Sequence, residues 1–74
     1  MKVIPINTVI KHYPIGEIHI IKGVTPSGKE VTEFKEVINK EVTTRAFIIK
    51  GEGSLLEHLS NGKVTRRFIN KKTN

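Results

Sequence analysis

Residues 55–68 read Leu55-Leu56-Glu57-His58-Leu59-Ser60-Asn61-Gly62-Lys63-Val64-Thr65-Arg66-Arg67-Phe68, and the Asn61-Gly62 step decides how the chain folds. Asn-Gly supplies the two positive-φ residues of a type I′ turn, whose twist matches that of two antiparallel strands. With Ser60 and Lys63 flanking the turn, Leu59 falls opposite Val64, Glu57 opposite Arg66 and Leu55 opposite Phe68. Two of these pairs are apolar and one is oppositely charged, so all three favour one register. The rival reading is a short helix, with Ser54 as N-cap, Glu57 at N3 and Gly62 as its stop. So short a helix would depend wholly on tertiary packing. The hairpin is preferred.

Composition points the same way. Eleven Ile and seven Val stand against three Leu and one Ala. Branched Cβ atoms suit a pleated surface and crowd a helix, whereas Leu and Ala are the better helix formers. Val3 to Ile10 is a strand candidate, with Ile4, Ile6 and Ile10 on one face at period two. Pro5 donates no ladder hydrogen bond, which places this strand at a sheet edge. After a turn at Tyr13-Pro14-Ile15-Gly16, Glu17 to Val24 forms a second strand, with Ile18, Ile20 and Val24 opposite in pleat to His19 and Ile21. Thr25-Pro26-Ser27-Gly28 has the chemistry of a type I turn closing on a Gly bulge. The segment from Lys29 to Glu41 stays open between helix and strand. Val31, Phe34, Val37 and Ile38 recur at helical spacing and Glu36 precedes Lys40 by four, while two Val, an Ile and a Thr weaken a helix. Glu41 to Lys50 returns to strand, and its apolar run Ala46-Phe47-Ile48-Ile49 suits a central position. The expectation is a mainly β chain: a small antiparallel sheet or half-open barrel of about five strands, with a short helix near 32–40 as the open alternative.

Seventy-four residues allow one small domain, read as 1–69, followed by a polar basic tail, 70–74. No stretch approaches the roughly 20 apolar residues that span a bilayer. Met1-Lys2-Val3-Ile4-Pro5-Ile6 has no apolar core long enough for a signal peptide, so the expected compartment is the cytoplasm. There is no Cys, which removes disulfides and thiolate metal sites. Asp is absent as well: all seven acidic residues are Glu. That takes away the commonest triad partner and the usual Mg²⁺ and Ca²⁺ ligand. No catalytic residues, metal site or cofactor are assigned, and the chain is read as a non-enzyme.

The net charge of +6 is unevenly placed. Residues 63–74 carry Lys63, Arg66, Arg67, Lys71 and Lys72 with no acid, or +5; residues 1–28 carry +2 and residues 29–62 carry −1. A basic strand with a basic end is an electrostatic footprint for phosphate backbones. Those five residues are therefore the candidate nucleic-acid contacts, although Arg66 and Arg67 point to opposite faces of a regular strand. Aromatic residues are few: Tyr13, Phe34, Phe47 and Phe68, the three Phe being assigned to the core. Binding would then be led by the backbone, sensitive to salt and weakly specific. The alternative partner is a protein, met through an exposed Ile/Val surface or a free sheet edge. Eighteen Ile plus Val in so small a chain also imply a homo-oligomer, with Ile21 and Ile49 as candidate surface residues.

Two further patterns are weighed against bland readings. His12, His19 and His58 could join Glu17 in a metal site, but no ligand spacing supports it, and structural His is the default. Gly51-Glu52-Gly53-Ser54 follows an apolar strand as a phosphate-cradling turn does, yet Leu56 stands where the third Gly belongs. A bend or bulge in the strand is the preferred reading there. Finally, Thr44, Ala46 and Lys50-Gly51-Glu52 resemble a strand of the trp RNA-binding attenuation protein family, all-β proteins that form RNA-binding rings. The likeness covers fewer than ten residues. Ile48 occupies the first of the two alternating basic positions of that family, and matching the upstream strands needs a sizeable deletion. No functional residue is carried across.

Overall fold

The computed structural model describes residues 2–60 and 62–69. They form one open antiparallel sheet of six strands, ordered as in the chain: β1 (Ile4–His12), β2 (Glu17–Val24), β3 (Glu30–Ile38), β4 (Glu41–Ile49), β5 (Gly53–Ser60) and β6 (Lys63–Ile69). Each strand meets only its neighbours in sequence, so β1 and β6 are edges. Among the described residues no helix is long and apolar enough to cross a membrane.

The described residues form strands and turns, as the branched residues require, with six strands where about five were expected. The helix near 32–40 does not form: those residues lie in β3, running into its turn. Their three-to-four spacing is not a helical stripe, because β3 needs apolar residues on both faces. Val31 and Val37 lie on one side of the pleat and Phe34 on the other, each opposite an apolar partner on β4: Ile49, Val42 and Ala46. The short helix capped by Ser54 is likewise replaced by strand β5, and the β5–β6 hairpin has the register its sequence predicts. Leu59 pairs with Val64, Glu57 with Arg66 and Leu55 with Phe68. Gly62 has φ +77°, in the left-handed region the turn needs, while Asn61 lies outside the described residues.

The other connections are equally local. Thr25–Gly28 closes as the predicted type I turn with a Gly bulge: Gly28 N–H donates to Thr25 O (2.8 Å), Thr25 N–H donates to Lys29 O (2.8 Å), and Gly28 has φ +93°. Gly51-Glu52-Gly53 is not a bend within a strand. It is the reverse turn between β4 and β5, closed by Glu52 N–H donating to Ile49 O (3.0 Å). The Lys29 ammonium pairs with the Glu52 carboxylate, tying this turn to the β2–β3 turn at the same end of the sheet.

β1 departs from its expected pattern. Pro5 does sit on an edge strand, but the register slips between Pro5 and Asn7, leaving Ile6 as a bulge. One extra residue reverses the pleat. Ile4 therefore shares a face with Val24, and Ile10 shares the opposite face with His19, instead of both joining Ile6. Gly23 is required beneath this bulge. A Cβ there would stand 2.1 Å from Ile4 O and 3.0 Å from Pro5 Cα.

The two faces are unequal. Val31, Glu33, Phe47, Ile49 and Glu57 are all the buried side chains among the described residues, and the register puts every one on the same face, the inner one. Phe47 is fully covered at 0% exposure, with Val3 and Leu55 packed against the cluster. A flat single layer could not enclose it; the twisted sheet curls towards this face. Ile49 is thus core rather than surface, and Ile48, its outward neighbour, is 48% exposed.

The β3–β4 turn carries a correctable strain. Asn39 and Lys40 both have positive φ, +55° and +67°, between the paired residues Ile38 and Glu41. This is type I′ geometry with Lys where Gly is preferred. A left-handed non-glycine residue costs about 1–2 kcal/mol, partly offset by the extra backbone entropy of Gly in the unfolded chain. Lys40→Gly should therefore raise stability by about 0.5–1 kcal/mol, read as a higher midpoint in thermal or urea unfolding.

Candidate nucleic-acid interface

β6 holds three of the five predicted contact residues. Lys63, Arg66 and Arg67 are all exposed; Lys71 and Lys72 lie outside the described residues. As strand alternation requires, Arg66 points to the inner face opposite Glu57, and Arg67 to the outer face opposite Leu56. They do not make one patch. They flank a ridge, the outer edge of β6, whose backbone has no strand beyond it among the described residues.

Arg66 is also committed. Its Nε–H donates to Glu57 Oε2 at 3.0 Å, and Glu57 is only 8% exposed. A buried carboxylate needs a paired cation and hydrogen bonds, so part of the charge of Arg66 serves the fold. Lys63 and Arg67 make no ion pair within 4.0 Å among the described residues. Arg67 borders a shallow depression with Leu56, His58, Thr65 and Arg66.

The register reveals a charged row that the linear sequence hides. His19, Lys35, Arg45, Glu57 and Arg66 stand side by side across β2 to β6 on the inner face. Arg45 Nε lies 3.9 Å from Glu33 Oε2 and is itself buried without a hydrogen-bond partner. Lys35 and Arg45 escape sequence reasoning because their nearest acids in sequence neutralise that segment. Only the strand pairing shows that they line up with Arg66. The aromatic assignment also changes, since Phe68 is 54% exposed, on the same face as Arg66, while Phe34 is half-buried.

The His residues divide. His19 Nε2 and Glu17 Oε1 are 2.7 Å apart, and His12 Nδ1 lies 3.4 Å from Glu17 Oε2. His58 is far across the sheet on β5, hydrogen-bonded to Thr44 Oγ1 at 3.3 Å. Among the described residues no group of three or more His and Glu is placed to hold a metal ion. Glu17 is held below the usual carboxylate range, first by its hydrogen bond with His19 and then by the nearby charge of His12 and His19, against an opposing effect of burial. No protein-family model, curated protein or solved structure matches the chain.

This geometry sets two measurable outcomes. A double-mutant cycle on Glu57→Gln and Arg66→Ala should give a coupling of about 0.5–1.5 kcal/mol, as for a partly exposed charge-assisted pair. A depressed carboxylate pKa contributes stability above the unfolded-state value, and that contribution is lost as pH falls through the folded-state value. Wild type should therefore be more stable than Glu17→Gln near neutral pH. The gap should close as pH drops below about 4, measured as Tm against pH.

Proposed function

We propose that this chain is a small non-enzymatic nucleic-acid-binding or regulatory protein, contacting the phosphate backbone through Lys63, Arg66, Arg67, Lys71 and Lys72. The carrying observation is that a +5 segment comprises an edge strand and the tail that follows it in sequence. An edge lets a strand of nucleic acid lie along β6 and meet cations from both faces, so the opposite pleats of Arg66 and Arg67 are no obstacle. Lys63 and Arg67 supply the first contacts, the tail lysines extend them, and Arg66 shares its charge with Glu57. Phe68 adds an exposed ring two residues from Arg66, a surface on which an unpaired base can stack. Recognition of this kind is electrostatic and indifferent to base sequence.

A protein-interaction reading, as an inhibitor or assembly subunit, has one specific observation in its favour. The outer face carries no buried side chain among the described residues and exposes Ile48 and Leu56.

Each neutralised phosphate contributes roughly −0.9 to the slope of log affinity against log salt on duplex DNA, less on single strands. With most of five charges engaged, a mixed oligonucleotide should give a slope of about −3 to −4. Changing Lys71 and Lys72 together to Ala should flatten it by up to about two units with Tm unchanged. Absence of salt-dependent binding to DNA or RNA would sink this reading and put the protein-interaction one first.

A further inference from the structure

An apolar row crosses the outer face from the β1 edge to β5: Val9, Ile20, Phe34, Ala46 and Leu56, each directly opposite the next in the register. None of the five is buried. We infer that a second copy of this chain covers this row, packed face to face about a two-fold axis that runs parallel to the strands, between β3 and β4.

Three observations select that occupant. The first is stability. A folded domain needs two packed layers, and this chain forms one, with only Val31, Phe47 and Ile49 as its buried apolar core among the described residues. A covering layer needed for folding itself must be present wherever the chain is present. A second copy meets that condition.

The second observation is self-complementarity. The midline of six strands falls between β3 and β4, and Phe34 and Ala46 are neighbours across it. The two-fold axis therefore sets each Phe34 against the Ala46 of the other copy, and each Ile20 against the other Leu56. Large meets small at the centre, the pattern by which facing sheets interdigitate. Charges are compatible too: Glu36, which accepts a hydrogen bond from Thr43 Oγ1 (3.1 Å), comes to face Thr44, and Lys22 faces Ser54. No like charges are opposed along the three central rows.

The third is size. Six strands at about 4.8 Å spacing and about eight residues at about 3.3 Å rise give a face of roughly 700 Å². A standard stable interface takes about 800 Å² from each partner. Because the sheet curls away from this face, the flat area is an upper limit. Contact is closest over the central strands that carry Ile20, Phe34, Ala46 and Leu56.

The paired Phe34–Ala46 contacts provide a decisive experiment. Phe34→Ala alone leaves two holes in the symmetric dimer, and Ala46→Phe alone makes two Phe–Phe clashes. Mixing the two variants restores both contacts at once. The shortened side chain of F34A then faces the enlarged side chain of A46F, and Phe34 of the A46F chain faces Ala46 of the F34A chain. The two chains, refolded together at tens of micromolar and read by native mass spectrometry, should form the heterodimer in preference to either homodimer by more than about tenfold. Wild type should run at twice its 8.3 kDa mass. A variant that does not fold alone still reports, because the rescue occurs in trans. Val64→Lys, on the β6 edge, should leave the dimer intact. A monomeric wild type, or a statistical mixture of homo- and heterodimers, overturns the inference. So does an assembly broken by Val64→Lys but not by the face variants, which would assign the contact to the sheet edges.

Discussion

A single sheet must hide one of its own faces with nothing but its curvature and its turns, and this constraint governs the chain. Every connection between the strands is short, so none is long enough to fold back as a lid. Coverage on the inner face comes instead from twist, from Val3 laid over the cluster, and from the side chains themselves. That is why the buried set is so small and so local. Phe47 on the central strand β4 is its middle, with Val31 and Ile49 a pleat away. The backbone approach of β1 onto Gly23 belongs to the same problem. Only a residue without Cβ lets the bulged edge strand come that close.

The inner face accepts two buried carboxylates, Glu33 and Glu57, and the charged row explains how. Arg45 stands directly opposite Glu57 and reaches towards Glu33, while Arg66 closes on Glu57 from the edge. Each carboxylate therefore has a cation beside it, Arg45 near Glu33 and Arg66 on Glu57, the arrangement that makes burial of charge tolerable. Apolar residues would serve the same positions at lower desolvation cost. The row therefore sets register more than it adds stability: a slip of one residue in any pair would move its charged side chain to the outer face.

How much of this was legible in sequence depended on whether the deciding contacts were local. The Asn61-Gly62 hairpin was readable to the residue, because turn chemistry and three cross-strand pairs lie within fourteen consecutive positions. Thr25–Gly28 was readable for the same reason. β3 was not, because a central strand with Val31 and Val37 on one face and Phe34 on the other imitates helical spacing. The turn at Asn39-Lys40 lacked its usual Gly and left no signal. The bulge at Ile6 depends on Gly23, a residue of the next strand, and the row from Lys35 through Arg45 to Arg66 depends on several registers at once. Of the candidate interface, the identity of the basic residues on β6 was visible. What Arg66 is bound to, and that Phe68 lies open beside it, required the fold.

The nucleic-acid proposal and the dimer proposal meet at β6, where Arg67 points to the outer face at the margin of the dimer contact, and the second changes the reach of the first. A two-fold axis parallel to the strands stacks β6 of one copy over β1 of the other. Arg67 then lies over the second copy's Val9, and Thr65 over its Lys11, so the basic edge gains a cation from across the interface. The two β6 edges end at opposite margins of the pair, about 24 Å apart for six strands at about 4.8 Å spacing. A nucleic acid long enough to reach both would be held at two sites by one body. Its second contact would form at a high effective concentration, without any new base-specific interaction. Weak, charge-led contacts on a single edge would in this way become firm binding through symmetry alone. The same lysines and arginines on an isolated sheet would not achieve it.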